Sequence, residues 1–381
     1  MQVGIICSVF QDTSEFNIQT FRKSKSDLKR NGNRSAFKNS SKKGQLAHGN
    51  TKRVKAPRLF EGLSHKVIVS AACGRNHTLA LTEICSVFAF GENKMGQLVL
   101  GNQTDPVHSP TQIMYNGQPI TKMACGAEFS TITDCKGNLC SFGCPEYGQL
   151  RHNSDGKFIA WPQQIEYDCE LVPWQVAIFI KKTKNEQMLP VPNMVVQDVV
   201  CGANDTLVLD SQKPVFSSGS SGYGRLGHAE RKEEMVPCLV QLFDFSGCGA
   251  SQIYAGYTCF FAISEVGGLF LLRGGTSTSH ESTVYPKAVQ DLCGWRIQSL
   301  ACGKSSITVA ANESTISWCL LPTFEEQGYG DHKPKSSTAA QEVKTLDSIF
   351  SEQVTKGYSH SLVIARDKRE TEKEKIKKLP E

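Results

Sequence analysis

The side chains best suited to chemistry in this chain are fifteen cysteines, nine histidines and two clusters of basic residues. Cys73, Cys125, Cys201 and Cys302 each stand directly before a glycine, in "AACG", "MACG", "VVCG" and "LACG". A cysteine reused in one short motif reads as a small buried apolar side chain, not as a ligand or nucleophile. Cys135, Cys140 and Cys144 are close in sequence but lack the spacing that zinc sites use. His48, His152 and His228 sit two residues after the Leu of a "GQL" or "GRL" turn, and His77 and His360 recur after "CG" or "KG". That recurrence assigns them structural duties rather than metal or base roles. The stretch "CGKSS" imitates a phosphate-binding loop, yet Gln298 fills the place of its leading glycine. No serine, cysteine or carboxylate has neighbours that would activate it as a nucleophile. The reading is a chain with no catalytic residue, no cofactor and no metal.

Charge is more informative. Residues 1–55 carry 12 Lys and Arg against 3 Asp and Glu, whereas the whole chain is only +5. A basic segment of 1–43 therefore precedes a mildly acidic body. Within it Arg22, Lys23, Lys25, Lys29, Arg30 and Arg34 form a run suited to nuclear import or to anionic partners. The bland alternative is a solvated, disordered leader. No apolar run approaches the roughly 20 residues that a membrane helix needs, and the first ten residues make a poor export signal. The expectation is a soluble intracellular chain.

The elements that must position these residues come from an internal repeat. One half-motif reads "CGRNHTLALT", "CGAEFSTITD", "CGANDTLVLD", "AGYTCFFAIS", "CGKSSITVAA" and "KGYSHSLVIA". Its glycines, Gly74, Gly126, Gly202, Gly256, Gly303 and Gly357, stand 52, 76, 54, 47 and 54 residues apart. A second half-motif, such as "SVFAFGENKMGQL", follows the first five. Short alternating strands, glycine-rich turns and almost no helical periodicity predict an all-β propeller, one small antiparallel sheet per unit.

The pattern "CGxxHTLAL…VFAFGxNxxGQL" resembles the regulator of chromosome condensation family. The resemblance runs from about Gly44 to Glu381, and residues 1–43 do not share it. It implies a β-propeller with five full blades plus two partial ones, an incomplete version of the family's seven-bladed ring, in a chain read as an N-terminally truncated and partly degenerate copy. The orphan rear half at 44–68 either completes the C-terminal half-blade, closing a ring of six, or leaves a gap. Propeller repeats then occupy 44–366 and a charged tail occupies 367–381. The family implies a non-enzymatic mitotic scaffold, nuclear and cytoplasmic and chromosome-associated in mitosis. Its implied partners are Ras-superfamily small GTPases, with guanine nucleotide exchange as its only activity, and chromatin or microtubule-associated proteins. The chain is expected to be a monomer without a membrane span.

The 76-residue spacing exposes an insertion, placed at about 167–196 and read as a strand, a Lys-rich turn and a returning strand. Lys181, Lys182, Lys184, Asn185 and Glu186 become the candidate partner-binding surface, because an insertion between blades projects from a rigid scaffold.

Several repeat positions depart from the pattern. After "GQL" stand Ala47, Val99 and Arg151, where other units keep Gly227 and Gly328. If that slot demands positive φ, each intruder costs about 1–3 kcal/mol. Ser218, Arg273, Cys140, Cys319 and Asp205 break other repeated positions, and Trp161, Trp174 and Cys238 also look foreign to the family. This leaves a second reading open: a degenerate copy without specific function.

Overall fold

The computed structural model describes residues 5–9, 35–39, 43–47, 49, 54–59, 62–161, 164–245, 247–273, 284–303, 306–311, 314–319, 339–347, 349–356, 361–366 and 370–377. Arg22, Lys23, Lys25, Lys29, Arg30 and Arg34 lie outside these residues, as do His48, Gly328 and His360.

Five blades built on four antiparallel strands follow one another along the chain, the third widened to six strands by an added hairpin. The first is Ile68–Cys73, His77–Thr82, Val87–Asn93 and Thr104–Gln112. The second is Ile120–Cys125, Phe129–Asp134, Leu139–Gly143 and Glu170–Gln175. Val196–Cys201, Asp205–Asp210, Val215–Gly219 and Glu234–Leu239 make the third. The fourth is Ala250–Ala255, Phe260–Ser264, Leu269–Leu272 and Lys287–Ala288. The fifth is Ile297–Cys302, Ser306–Ala311, Ser314–Cys319 and Gln341–Glu342. The expected all-β propeller is therefore present. Among the described residues the α-helix is confined to Glu370–Lys377.

The partial units form sheets of their own. Ser351–Lys356 pairs with Ser361–Ala365 alone, while Ser35–Asn39 pairs with Val54–Leu59 and, in parallel, with Ile5–Val9. These two sheets share no ladder, although Ile364 packs on the cluster of Leu46, Ala71 and Phe90. Two strands, Ile5–Val9 and Ser35–Asn39, fall within the basic segment.

Burial explains the repeat. The second strand of each of the first three blades is buried at every position, as in His77–Thr82, Phe129–Asp134 and Asp205–Asp210. Such strands are covered on both faces by neighbouring blades, so they lose the polar alternation of a half-exposed sheet. Cys73, Cys125 and Cys201 are wholly buried, consistent with their reading as packing residues.

Adjacent blades are joined by a repeated clasp. The amides of Gly49, Gly101, Asn153 and Ala229 donate to His108, Leu171, Met235 and Val284, at 3.2, 3.1, 3.1 and 3.1 Å. All four donors have positive φ: 69°, 72°, 61° and 65°. Two residues earlier, Ala47, Val99, Arg151 and Gly227 stand at φ 50°, 59°, 67° and 78°, each donating back to the glycine that opens its turn. The slot after "GQL" does require the left-handed region, where a β-branched residue is a steric outlier.

Candidate functional site

The insertion is two hairpins rather than one. Lys157–Trp161 pairs with Gln164–Tyr167, and the chain then rejoins the second blade through Glu170–Gln175. The second hairpin pairs Ile180–Lys182 with Met188–Pro190 and adds to the third blade through Ile180, opposite Cys238. Apolar Phe179 and Ile180 are buried, and Phe179 meets Phe216 edge-to-face at 5.4 Å. Burial of this stem fixes the hairpin on the blade, leaving its charged end outside.

Lys181 and Lys182 belong to the strand and not to the turn, which is closed by Thr183 and Gln187 with Glu186 at φ 60°. Strand alternation sends them to opposite faces. Lys181 is exposed, whereas Lys182 donates a hydrogen bond to Glu234 and lies 3.9 Å from Glu230. Burial pulls its ammonium pKa down, but the bond to Glu234 and its charge prevail, and the pKa stands above the ordinary lysine value. Lys182 is an anchor. Lys184, Asn185 and Glu186 are exposed together with Met188 and Leu189. The exposed end of the hairpin thus carries two lysines against one glutamate, with an apolar margin.

The first hairpin was not foreseen from the sequence, which places the extra residues within about 167–196. Ile159, Trp161 and Ile165 are 77%, 71% and 55% exposed. The run "KFIAW" was the available signal, but a short apolar stretch does not say which face it buries.

The inner strands enclose a cavity of roughly 370 Å³, lined by groups including Lys122, Asp198, Tyr254, Gln298 and Lys356. Lys122 pairs with Asp198 at 3.4 Å, and the buried Lys356 donates to Ser306 at 2.9 Å. The recurrent histidines are tied down: His77 to Ser130 at 2.7 Å, His152 to Ser141 at 3.1 Å and His228 to Ser217 at 2.7 Å. Burial lowers their pKa values to about 3, 4 and 4. At neutral pH they are uncharged spacers. Among the described residues, no three His, Cys, Asp or Glu side chains converge as metal ligands would. No described helix is long and apolar enough to cross a membrane.

Two departures create local problems of different size. Asp205, in the slot of His77, is buried; burial raises its pKa to about 6 against the pull of Arg225, whose Nη1 lies 3.3 Å away. Arg151 is wholly buried, and Nε, Nη1 and Nη2 find no hydrogen-bond partner among the described residues. Burial lowers its pKa to about 10.

A glycine-paced propeller with blade-to-blade clasps defines a repeat scaffold, and its sequence places it more narrowly. The regulator of chromosome condensation (RCC1) repeat matches residues 40–81 and 86–132. The chain belongs to the regulator of chromosome condensation family. It is 82% identical over 339 residues to Protein RCC2 of Homo sapiens, covering 89% of this chain and 65% of that protein. It is 74% identical to the Protein RCC2 homolog of Danio rerio, covering 89% of this chain and 68% of that one. The chain thus spans about two thirds of the length of these relatives. Among solved structures, Prp20p from Saccharomyces cerevisiae matches with TM-score 0.66 at 19% identity, over 94% of this chain and 80% of that one. Human WBSCR16 matches with TM-score 0.65 at 19% identity, over 86% and 85%. These last two likenesses establish the fold.

Proposed function

We propose that this chain is a non-enzymatic interaction scaffold that binds a Ras-superfamily small GTPase through the hairpin Ile180–Pro190. The observation that carries the reading is the hairpin's division of labour. Lys182 is fixed to Glu234, so Lys181 and Lys184 are presented from a rigid blade at little ordering cost. Their charge suits an acidic protein surface or a nucleotide phosphate. Nucleotide exchange would follow if the hairpin binds the GTPase more tightly without its nucleotide than with it. Prp20p, with its binding properties to Gsp1p and histones, makes a GTPase and chromatin the partner classes to test first. A nuclear, chromosome-associated setting in mitosis belongs to the same proposal.

Capture of a set of GDP-loaded and nucleotide-free Ras-superfamily GTPases on the immobilised chain tests this. Selective retention of one, lost in Lys181→Glu/Lys184→Glu without a change in melting temperature, is the expected result. Equal retention by the variant would remove the hairpin from the proposal. Release of a fluorescent GDP analogue then reads exchange directly.

A degenerate copy without specific function is the second reading, and Arg151 favours it. A buried guanidinium without hydrogen-bond partners among the described residues, on a left-handed backbone, is a defect. A melt without a cooperative transition would select that reading.

A further inference from the structure

We propose that Cys144 and Cys169 form a reversible disulfide when the chain meets a hydroperoxide, stapling the excursion between them. The second blade's ladder pairs Gly143 with Glu170 in antiparallel register. Continuing that register one step beyond the end of the ladder sets Cys144 opposite Cys169. Directly opposed positions in such a pair place their Cα atoms about 4.5–5.5 Å apart, within the range of about 4.4–6.8 Å that disulfides span. The two thiols are near enough to shift each other's pKa, and the Cys169 thiol donates to Met95 Sδ at 3.8 Å.

The two sulfurs are not equivalent. Cys144 is 2% exposed, while Cys169 is only partly buried. The interaction with Cys144 lowers the Cys169 pKa, and the same interaction, with burial, raises that of Cys144. Cys169 is therefore the attacking group and Cys144 the resolving one. The Cys169 thiolate attacks one peroxide oxygen, the O–O bond breaks and hydroxide leaves, giving a sulfenic acid. Cys144 sulfur then displaces the hydroxyl, which departs as water with the Cys144 proton, and the S–S bond forms. Two thiols lose two hydrogens and two electrons while one hydrogen peroxide becomes two waters.

The closed loop contains the Gly148 turn, the clasp donor Asn153 and the exposed hairpin with Trp161. Oxidation would lock the second-to-third blade clasp and the orientation of that apolar hairpin. The chain holds its own contrast. Cys259 and Cys302 also lie together between the fourth and fifth blades and shift each other's pKa, but both are buried and offer an oxidant no entry.

The full chain is exposed to hydrogen peroxide, alkylated under denaturing conditions and digested without reductant for mass spectrometry. A Cys144–Cys169 cross-linked peptide, reversed by dithiothreitol, is expected, with a melting temperature about 3–6 °C higher. Cys259 and Cys302 should remain alkylatable, and exposed Cys135, Cys248 and Cys293 report that oxidant was effective. In Cys144→Ser, Cys169 should accumulate as a dimedone-reactive sulfenic acid. Cys169 joined to another cysteine, Cys144 still fully alkylatable when Cys135 has reacted, or no dimedone adduct in Cys144→Ser would each overturn the assignment.

Discussion

His77 Nε2 of the first blade lies 2.7 Å from Ser130 Oγ of the second, with both side chains excluded from water. The bond joins two sheets that share no ladder, so its protonation state is a property of the ring rather than of one blade.

Acid should loosen this joint. Burial lowers the His77 pKa to about 3, while an exposed histidine titrates near 6.5. Between those values the unfolded chain binds the extra proton, so stability falls as pH falls from about 6.5 toward 3, by about 1.4 kcal/mol per unit at most. His152 and His228 act in the same direction, whereas Asp205, raised to about 6, opposes them between about pH 4 and 6. His77→Gln should be less stable at pH 7 by about 1–2 kcal/mol yet less sensitive to acid. Denaturant melts from pH 4 to 8 check this; parallel curves for the two proteins would refute it.

Reversion should help Arg151 far more than Val99. Val99 is 2% exposed and packs in the cluster with Leu98 and Phe142. Its burial contributes about 1.5–3 kcal/mol, which offsets about 1–3 kcal/mol of backbone strain. Val99→Gly should therefore shift stability by less than about 1 kcal/mol, not raise it clearly as the sequence alone suggests. Arg151→Gly removes strain and a buried charge that has no hydrogen-bond partner among the described residues, and should add about 2–4 kcal/mol after the cavity is counted. Thermal melts of both variants decide, and a larger gain from Val99→Gly would reverse the ranking.

Glu234 should hold the hairpin to the third blade. Glu234→Gln removes the charge facing Lys182 and should cost about 1–3 kcal/mol. The stem would open more often, and trypsin should cut after Lys181, Lys182 or Lys184 several-fold faster. Unchanged cleavage would show that Phe179 and Ile180 hold the stem unaided.

The apolar hairpin should limit solubility rather than stability. Ile159→Lys and Trp161→Arg alter side chains that are mostly exposed, so the melting temperature should move by less than about 1 °C, while light scattering on concentration should fall. A clear loss of stability would mean that these residues pack.

The five blades were legible because a propeller repeats its burial pattern: each "CG…HTLAL" strand has neighbours on both faces, and each "GQL" turn must reuse one backbone geometry. Positive φ at Val99 could be inferred from Gly227 and Gly328 in the same slot. The sheet of the insertion could not. Lys181 and Lys182 look alike in sequence, and which of them faces Glu234 depends on the register against a strand more than fifty residues away.

What the sequence determined by itself was thus the periodic part: strand order, turn geometry, buried cysteines and family. Tertiary structure alone decided the aperiodic part. The pairing of Ile180 with Cys238, the meeting of Cys144 with Cys169 and the isolation of Arg151 all depend on contacts between distant segments, and no local propensity records a partner that arrives only when the sheets pack.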